Sequence, residues 1–237
     1  GWLALDNADT ESDNLAIGTG ALGGPIDGGI QNIAIGNNSL DANTTGINQV
    51  ALGYDALSDN TTGNYNIAIG HSSLERNTIG NSNTAIGYAT LFNNTEGVRN
   101  SASGFSALYS NTSGNENTAV GYYSLKSNTT GNKNVAVGDR TLKDNTTGQF
   151  NTANGSLALE ANTDGNYNTA TGSNALSKNR SGSANTATGH DALRDNSSGS
   201  ENTAVGYDAL KLNTNANTNT AVGKSALMSN YTGQYNT

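Results

Sequence analysis

The residue types that carry out acid–base and nucleophilic chemistry are sparse in this chain. Among its 237 residues there are two histidines, His71 and His190, and no cysteine. The carboxylates are scattered, without the recurring Asp/Glu pair that general acid and base catalysis uses. No serine lies in a Gly-x-Ser-x-Gly turn, and the calcium motifs Gly-Gly-x-Gly-x-Asp and EF-hand are absent. We therefore expect no catalytic residue, no metal site, no cofactor and no enzymatic activity.

A column of aromatic residues is the main candidate for a binding surface. Each of these residues directly follows a glycine in the same sequence context, and the predicted ligand-binding residues are Tyr54, Tyr88, Phe105 and Tyr122. Exposed aromatic rings can stack on sugars or anchor a partner protein. The alternative is that the rings shield neighbouring turns and subunit contacts. His71 and His190 occupy the same column and are expected to be solvated polar residues.

The aromatic column exists because the whole chain is one repeated motif. A clear copy runs from Asn202 to Thr214, and in every copy a glycine closes an Ala-x-Gly step. This marker glycine falls first at Gly18, and from Gly36 to Gly223 it recurs every 17 residues. A period held over thirteen copies predicts a solenoid of stacked coils, because an insertion within one coil would disturb both neighbours.

Two apolar columns predict the core of this solenoid. Alanine always lies two residues before the marker glycine, and leucine always lies four residues after it. A position that stays apolar in every coil must fill the same space against the coils above and below. The predicted core therefore includes Leu57, Leu74, Leu91, Leu108, Leu125, Leu142, Ala119 and Ala136.

Columns of asparagine and glycine predict the turns. Asparagine lies seven residues after the marker from Asn43 onward, and glycine lies ten residues after it except at Ala216. Asparagine caps its own backbone and tolerates the left-handed conformation, and glycine takes positive φ without penalty. A second asparagine column lies four residues before the marker, and such stacked amides are expected to form hydrogen-bonded ladders. Several asparagines lie in Asn-x-Ser/Thr sequons, which matter only in a glycosylating compartment.

Each coil is predicted to contain two short strands, one around Asn-Thr-Ala-Val and one around Tyr-x-Ala-Leu, joined by tight turns. The predicted fold class is therefore all-β, a parallel β-roll or β-helix solenoid of thirteen coils with a 17-residue period. Residues 1–17, which include Trp2, are predicted to be an atypical N-terminal coil or a junction. Residues 18–237 are predicted to be the repeat domain, as a fragment of a longer chain.

The residues three and one before the marker alternate with the core alanine and are predicted to point outward. In the first coils they are aliphatic, and we name this set the aliphatic ribbon: Leu15, Ile17, Ile33, Ile35, Val50, Leu52, Ile67 and Ile69. An exposed patch of this size predicts a partner, and self-assembly is the natural candidate. The alternative is that this face lines the interior. Later in the chain the same positions are mostly polar, as in Thr169 and Thr171.

The composition excludes several classes of partner. A chain that is 33% hydrophobic and 6% aromatic is too poor in apolar residues for a thick core, but it suits a solenoid. A net charge of −8 without a basic cluster argues against nucleic acid and against anionic membrane surfaces. No apolar run is long enough to cross a bilayer, so we expect no membrane insertion in this segment.

The motif Gly-x-x-Asn-Thr-Ala-Val-Gly-Tyr-x-Ala-Leu is complete in residues 199–210 and is broken only by Ser124 in residues 114–125. It resembles the repeats of trimeric autotransporter adhesin heads, and it is similar to the repeat regions of fibre proteins that end in a tail-fibre-type chaperone domain. The resemblance covers residues 14–237. It implies a left-handed, homotrimeric β-roll in an extracellular, cell-surface or virion fibre. The coils here are longer than the usual adhesin coil, and most coils after Ile69 lack the paired aliphatic residues.

These observations predict a structural or adhesive fibre segment, a stiff rod belonging to a cell-surface adhesin or to a phage or injection-particle tail fibre. Its expected partners are copies of itself and a host receptor or glycan. The alternative function is ice binding or carbohydrate binding, through a flat Thr-x-Thr/Val face or through the aromatic column. In a parallel sheet the Thr-x-Thr pairs would stand about 6.7 Å apart along each strand and about 4.8 Å apart between coils.

Overall fold

The computed structural model describes residues 13–237, and this part of the chain is all-β without a helix. It divides into two compact units, unit 1 up to Asn117 and unit 2 from Thr118. Each unit is a β-solenoid whose coils each contain one strand of three residues. Residues 1–12 of the predicted N-terminal coil lie outside the described residues. Within residues 13–237 there is no helix long and apolar enough to pass through a bilayer.

The described part of unit 1, residues 13–117, contains six parallel strands that pair in chain order. They are β1 (Leu15–Ile17), β2 (Ile33–Ile35), β3 (Val50–Leu52), β4 (Ile67–Ile69), β5 (Thr84–Ile86) and β6 (Ser101–Ser103). Ala16 pairs with Ala34 across β1 and β2, which preserves the longer first interval of the sequence. The following strands pair at an offset of one 17-residue coil, as in Ala34 with Ala51. The predicted parallel solenoid and its period are confirmed.

Unit 2 contains seven parallel strands with the same spacing. They are β7 (Thr118–Val120), β8 (Val135–Val137), β9 (Thr152–Asn154), β10 (Thr169–Thr171), β11 (Thr186–Thr188), β12 (Thr203–Val205) and β13 (Thr220–Val222). Each strand ends one residue before a marker glycine. In each pair the central alanines face each other in register, as Ala187 faces Ala204.

The interior of both units is a narrow line of alanine and leucine. The leucines four residues after the marker are fully buried from Leu22 to Leu210, and the strand alanines from Ala34 to Ala204 are buried with them. The eight residues singled out as core from the sequence all have no exposed surface: Leu57, Leu74, Leu91, Leu108, Leu125, Leu142, Ala119 and Ala136. Because each coil contributes so few apolar atoms, its stability depends on the coils stacked on it.

The prediction of a second strand in each coil, around Tyr-x-Ala-Leu, is wrong. This segment is a series of turns, because the residues two and four after the marker have left-handed backbone angles. In one coil Asp55 and Leu57 both have φ of 53°, a value that L-residues seldom adopt and that interrupts a β-strand. Hydrogen bonds still join the coils here, since the Leu57 N–H donates to the Ser73 carbonyl at 3.0 Å. The turn therefore places leucine inside without a second sheet.

Two asparagine ladders fill the rest of the interior, as the sequence predicts. In the column seven residues after the marker, Asn77 Nδ2 donates to Asn60 Oδ1 at 2.7 Å and to the Gly80 carbonyl at 3.0 Å. In the column four residues before it, Asn83 Nδ2 donates to Asn66 Oδ1 at 3.3 Å and to the Gly97 carbonyl at 2.8 Å. Among the described residues no buried side-chain nitrogen or oxygen lacks a hydrogen-bond partner, so this polar interior carries no desolvation penalty from unpaired groups.

The turn from the asparagine seven residues after the marker to the glycine ten residues after it forms for a different reason than predicted. Neither Asn60 nor Gly63 has positive φ, so the left-handed conformation is not what selects these residues. The asparagine closes the turn through its side chain, and a Cβ on Gly63 would overlap Asn60 Oδ1 and the Gly80 carbonyl. Positive φ occurs instead at the marker glycines, where Gly53 has φ of 142° and a Cβ would overlap the Gly70 carbonyl.

Candidate functional site

The outward face of the strands in unit 1 is a candidate interaction surface. Along each strand the central alanine points inward and its two neighbours point outward, as the pattern of burial in β3 and β4 shows. Ile17 exposes 53% of its surface and Leu52 exposes 42%. The alternative interpretation, that the aliphatic ribbon lines the interior, is therefore wrong. Ile86 in β5 adds a further exposed aliphatic side chain next to the ribbon.

The same face in unit 2 has a different chemistry. Threonines three residues before the marker pair in register along the sheet, with Thr169 opposite Thr186 and Thr203 opposite Thr220. The residues one before the marker are Val120, Val137, Asn154, Thr171, Thr188, Val205 and Val222, and all of them are exposed. This surface is a regular array of hydroxyl and methyl groups, interrupted by Asn154 and by the aliphatic pair of β8.

The aromatic column of unit 1 is a stack of rings. The rings of Tyr54, His71, Tyr88 and Phe105 follow one another in the stack. The distances between the centroids of successive rings are 5.1, 5.3 and 5.0 Å, and successive rings are nearly parallel. The faces of His71 and Tyr88 are therefore covered by their neighbours, and the stack presents ring edges to solvent. Sugar stacking uses open ring faces, so this geometry favours the role of shielding the coils. The sequence placed His71 in this column but predicted a solvated polar residue, whereas its ring is stacked between Tyr54 and Tyr88.

Tyr122, the fourth residue predicted to bind a ligand, lies in unit 2. Its ring is tilted against Tyr123 with 4.0 Å between centroids. A hydrogen bond with Tyr123 raises the pKa of the Tyr122 hydroxyl. The ligand-binding assignment of Tyr54, Tyr88, Phe105 and Tyr122 stays a prediction.

Unit 2 also contains a network of ion pairs that sequence analysis did not find. Asp195 accepts from Lys178 and Arg194, each at 2.8 Å, and these hydrogen bonds lower the pKa of Asp195 to about 2, with Arg194 contributing most. Burial would raise the pKa of Asp191, but hydrogen bonds from Lys211 and Asn174 outweigh it and lower that pKa. The members come from three coils and from three columns, so no single column of the sequence reveals them.

Three potential metal ligands lie within this network. Donor atoms of His190, Asp191 and Asp208 are all within 4.8 Å of one another. The Lys211 ammonium, however, is 2.8 Å from Asp191 and 3.0 Å from Asp208. Together with the Arg194 guanidinium, which is 3.3 Å from Asp191, it supplies the positive charge that the two carboxylates require, so the arrangement is that of an ion-pair network. His71 and His190 lie in different units and contribute to different clusters.

A small surface depression borders the network. Its volume is about 230 Å³ and its lining includes Lys178, Arg180 and Ser197. This is below the roughly 300–1,000 Å³ of typical small-molecule sites. The strand faces of the two units therefore remain the better candidates for function.

Comparisons with known proteins do not assign a family or a function to this chain. No family model matches the chain, and no curated protein matches it.

Proposed function

We propose that this chain is a structural or adhesive segment of an extracellular fibre, carried on a cell surface or on a phage or injection particle. In this proposal the left-handed solenoid assembles as a homotrimer through the aliphatic ribbon of unit 1. The stacked coils supply length and stiffness, and attachment to a host receptor or glycan uses the assembled surface.

The observation that carries this proposal is the exposure of the aliphatic ribbon. Side chains such as Ile33, Leu52 and Ile67 expose between 38% and 42% of their surface and lie on adjacent strands. Scattered exposed aliphatic residues are ordinary, but a contiguous apolar face of this kind marks an interaction surface. Every copy of the chain presents the same apolar face, which fits a symmetric assembly.

The test is a triple variant, Ile33→Thr, Leu52→Thr and Ile67→Thr, compared with the original chain by sedimentation. Threonine occupies the equivalent strand positions in unit 2, so the substitution keeps the fold. The expected result is a smaller assembly with an unchanged circular dichroism spectrum. The matched control, Val135→Thr with Val137→Thr, removes the exposed aliphatic pair of β8 and should leave the assembly intact. An original chain that sediments as a folded monomer would refute the proposal.

A second candidate, ice binding, is favoured by the threonine array of unit 2. The in-register threonines of β10 to β13 repeat at the strand spacing of about 4.8 Å, and the outward residues of one strand are about 6.7 Å apart. Such spacings can order water on a flat surface. The test is thermal hysteresis of the purified chain and of a Thr171→Tyr, Thr188→Tyr variant. Thermal hysteresis that is present in the original chain and lost in the variant would support ice binding. Absence of hysteresis in the original chain would refute it.

A further inference from the structure

Eight sequons of the Asn-x-Ser/Thr type have their asparagine in the ladder seven residues after the marker. The asparagine of the last one, Asn230, is half-buried. The other seven are Asn43, Asn60 and Asn111 in unit 1 and Asn128, Asn145, Asn179 and Asn196 in unit 2. All seven are fully buried. N-glycan acceptors in folded proteins lie on the surface, because the glycan is bulky and hydrophilic. The acceptor atoms of these seven sequons are therefore accessible only before the chain folds.

The geometry of the ladder leaves no room for a substituent on the amide nitrogen. Both hydrogens of Asn179 Nδ2 are used, one toward Asn162 Oδ1 and one toward the Gly182 carbonyl, each at 2.9 Å. Glycosylation forms a bond between Nδ2 and the sugar C1, breaks the bond from C1 to its lipid-linked pyrophosphate, and releases one amide proton. It therefore removes one of these two hydrogen bonds and places a sugar between the ladder and the turn.

We propose that N-glycosylation and folding exclude each other in this chain, so that translocation into a compartment that transfers N-glycans prevents the native solenoid from forming. One modified ladder asparagine is enough, because each coil must stack on both neighbours. The chain would then mature only where N-glycan transfer is absent. This inference rests on the ladder geometry and does not depend on the proposed fibre function.

The N-glycan acceptor sequons can be removed without substituting the ladder asparagines. The third residue of each sequon lies on the turn, and residues such as Thr62, Thr147 and Ser198 are exposed. The sequon at Asn154-Gly155-Ser156 is a natural control, because Asn154 is exposed on the outward face of β9. A glycan at that position would extend into solvent and should be tolerated.

The experiment compares two forms of the chain passed through a eukaryotic secretory pathway. The variant replaces the third residue of all eight ladder sequons, including that of the half-buried Asn230, and retains the sequons at Asn37, Asn93 and Asn154, which lie outside this ladder. Its substitutions in unit 1 are Thr45→Ala, Thr62→Ala and Ser113→Ala, and in unit 2 Thr130→Ala, Thr147→Ala, Ser181→Ala, Ser198→Ala and Thr232→Ala. Both forms are first produced in a bacterial cytosol, where matching circular dichroism spectra and melting curves establish that the variant folds.

We expect the variant to be secreted in native form with glycans only at sequons outside the ladder, such as Asn154. The original chain should carry glycans on ladder asparagines, detected by mass spectrometry, and should lose native secretion. Secretion of the original chain with a native spectrum, whether its ladder asparagines are modified or not, would overturn the inference. Failure of the folded variant to be secreted would also overturn it, because glycans would then not be the cause.

Discussion

Replacing Asn179 by alanine tests whether the asparagine ladder holds the coils together. Asn179 makes three side-chain hydrogen bonds: Nδ2 donates to Asn162 Oδ1 and to the Gly182 carbonyl, and Oδ1 accepts from Asn196 Nδ2 at 2.8 Å. Each buried hydrogen bond contributes about 1 kcal/mol net, and a buried polar atom left without a partner costs about 1–3 kcal/mol.

The three partners of the Asn179 side chain are not affected equally when its hydrogen bonds are lost. Asn196 keeps its bond to the Gly199 carbonyl, and the Gly182 carbonyl keeps its bond from Asn168. Asn162 Oδ1 loses its donor inside the solenoid. The variant should therefore lose about 3–5 kcal/mol of unfolding free energy.

The assay is urea denaturation of the variant and of the original chain, followed by circular dichroism. The matched control is Asn154→Ala, because Asn154 is exposed on a strand face, and its effect should stay within about 0.5 kcal/mol. A loss below about 1 kcal/mol for Asn179→Ala, comparable to an ordinary surface substitution, would refute the stabilising role of the ladder.

Three further predictions concern the core, the marker glycine and the ion pairs. Leu125→Ala removes a fully buried side chain and should lower the unfolding free energy by about 2–5 kcal/mol in the same urea assay; a loss below 1 kcal/mol would contradict its core position. Gly53→Ala should lower the melting temperature, because its Cβ would overlap the Gly70 carbonyl and φ is 142°; an unchanged melting curve would contradict this. Asp195→Asn should destabilise the chain at pH 7 but not near pH 2. The folded pKa of Asp195 is lowered from 3.8 to about 2, so its stabilisation is present above the unfolded pKa and is lost as pH falls toward 2. A destabilisation that is equal at both pH values would argue against the ion pairs.

The sequence predicted the features that repeat as side-chain columns. The 17-residue period, the inward alanine of each strand and the ladders all follow from residues that must meet their own copies in the next coil. The outward direction of the aliphatic ribbon followed from alternation along the strand. These features are visible because each is enforced in every coil by contact with its neighbours.

Backbone conformation was harder to predict than side-chain position. Leucine seldom adopts positive φ, so nothing in Tyr-x-Ala-Leu indicated that Leu57 would have φ of 53°. Packing overrides the local preference, because the turn must place leucine against the strand alanine. The role of Gly63 was misassigned for a related reason, since the close approach of Asn60 Oδ1 is a tertiary contact.

Contacts between different columns were also missed. The ion-pair network of unit 2 joins Asp191, Arg194 and Lys211, which belong to two coils and two columns. Their proximity depends on how the turn orients neighbouring columns, and this orientation becomes known only with the backbone angles. The residues that depart from the repeat are therefore the ones for which a structure adds most.

The measurement that tests the proposed fibre most directly is the mass of the native species, determined by light scattering on the intact 24.2 kDa chain. A homotrimer has a mass of three chains, with the aliphatic ribbon buried between them, and this is the expected result. A mass of one chain would contradict it, because the ribbon would then remain exposed on a stable folded protein.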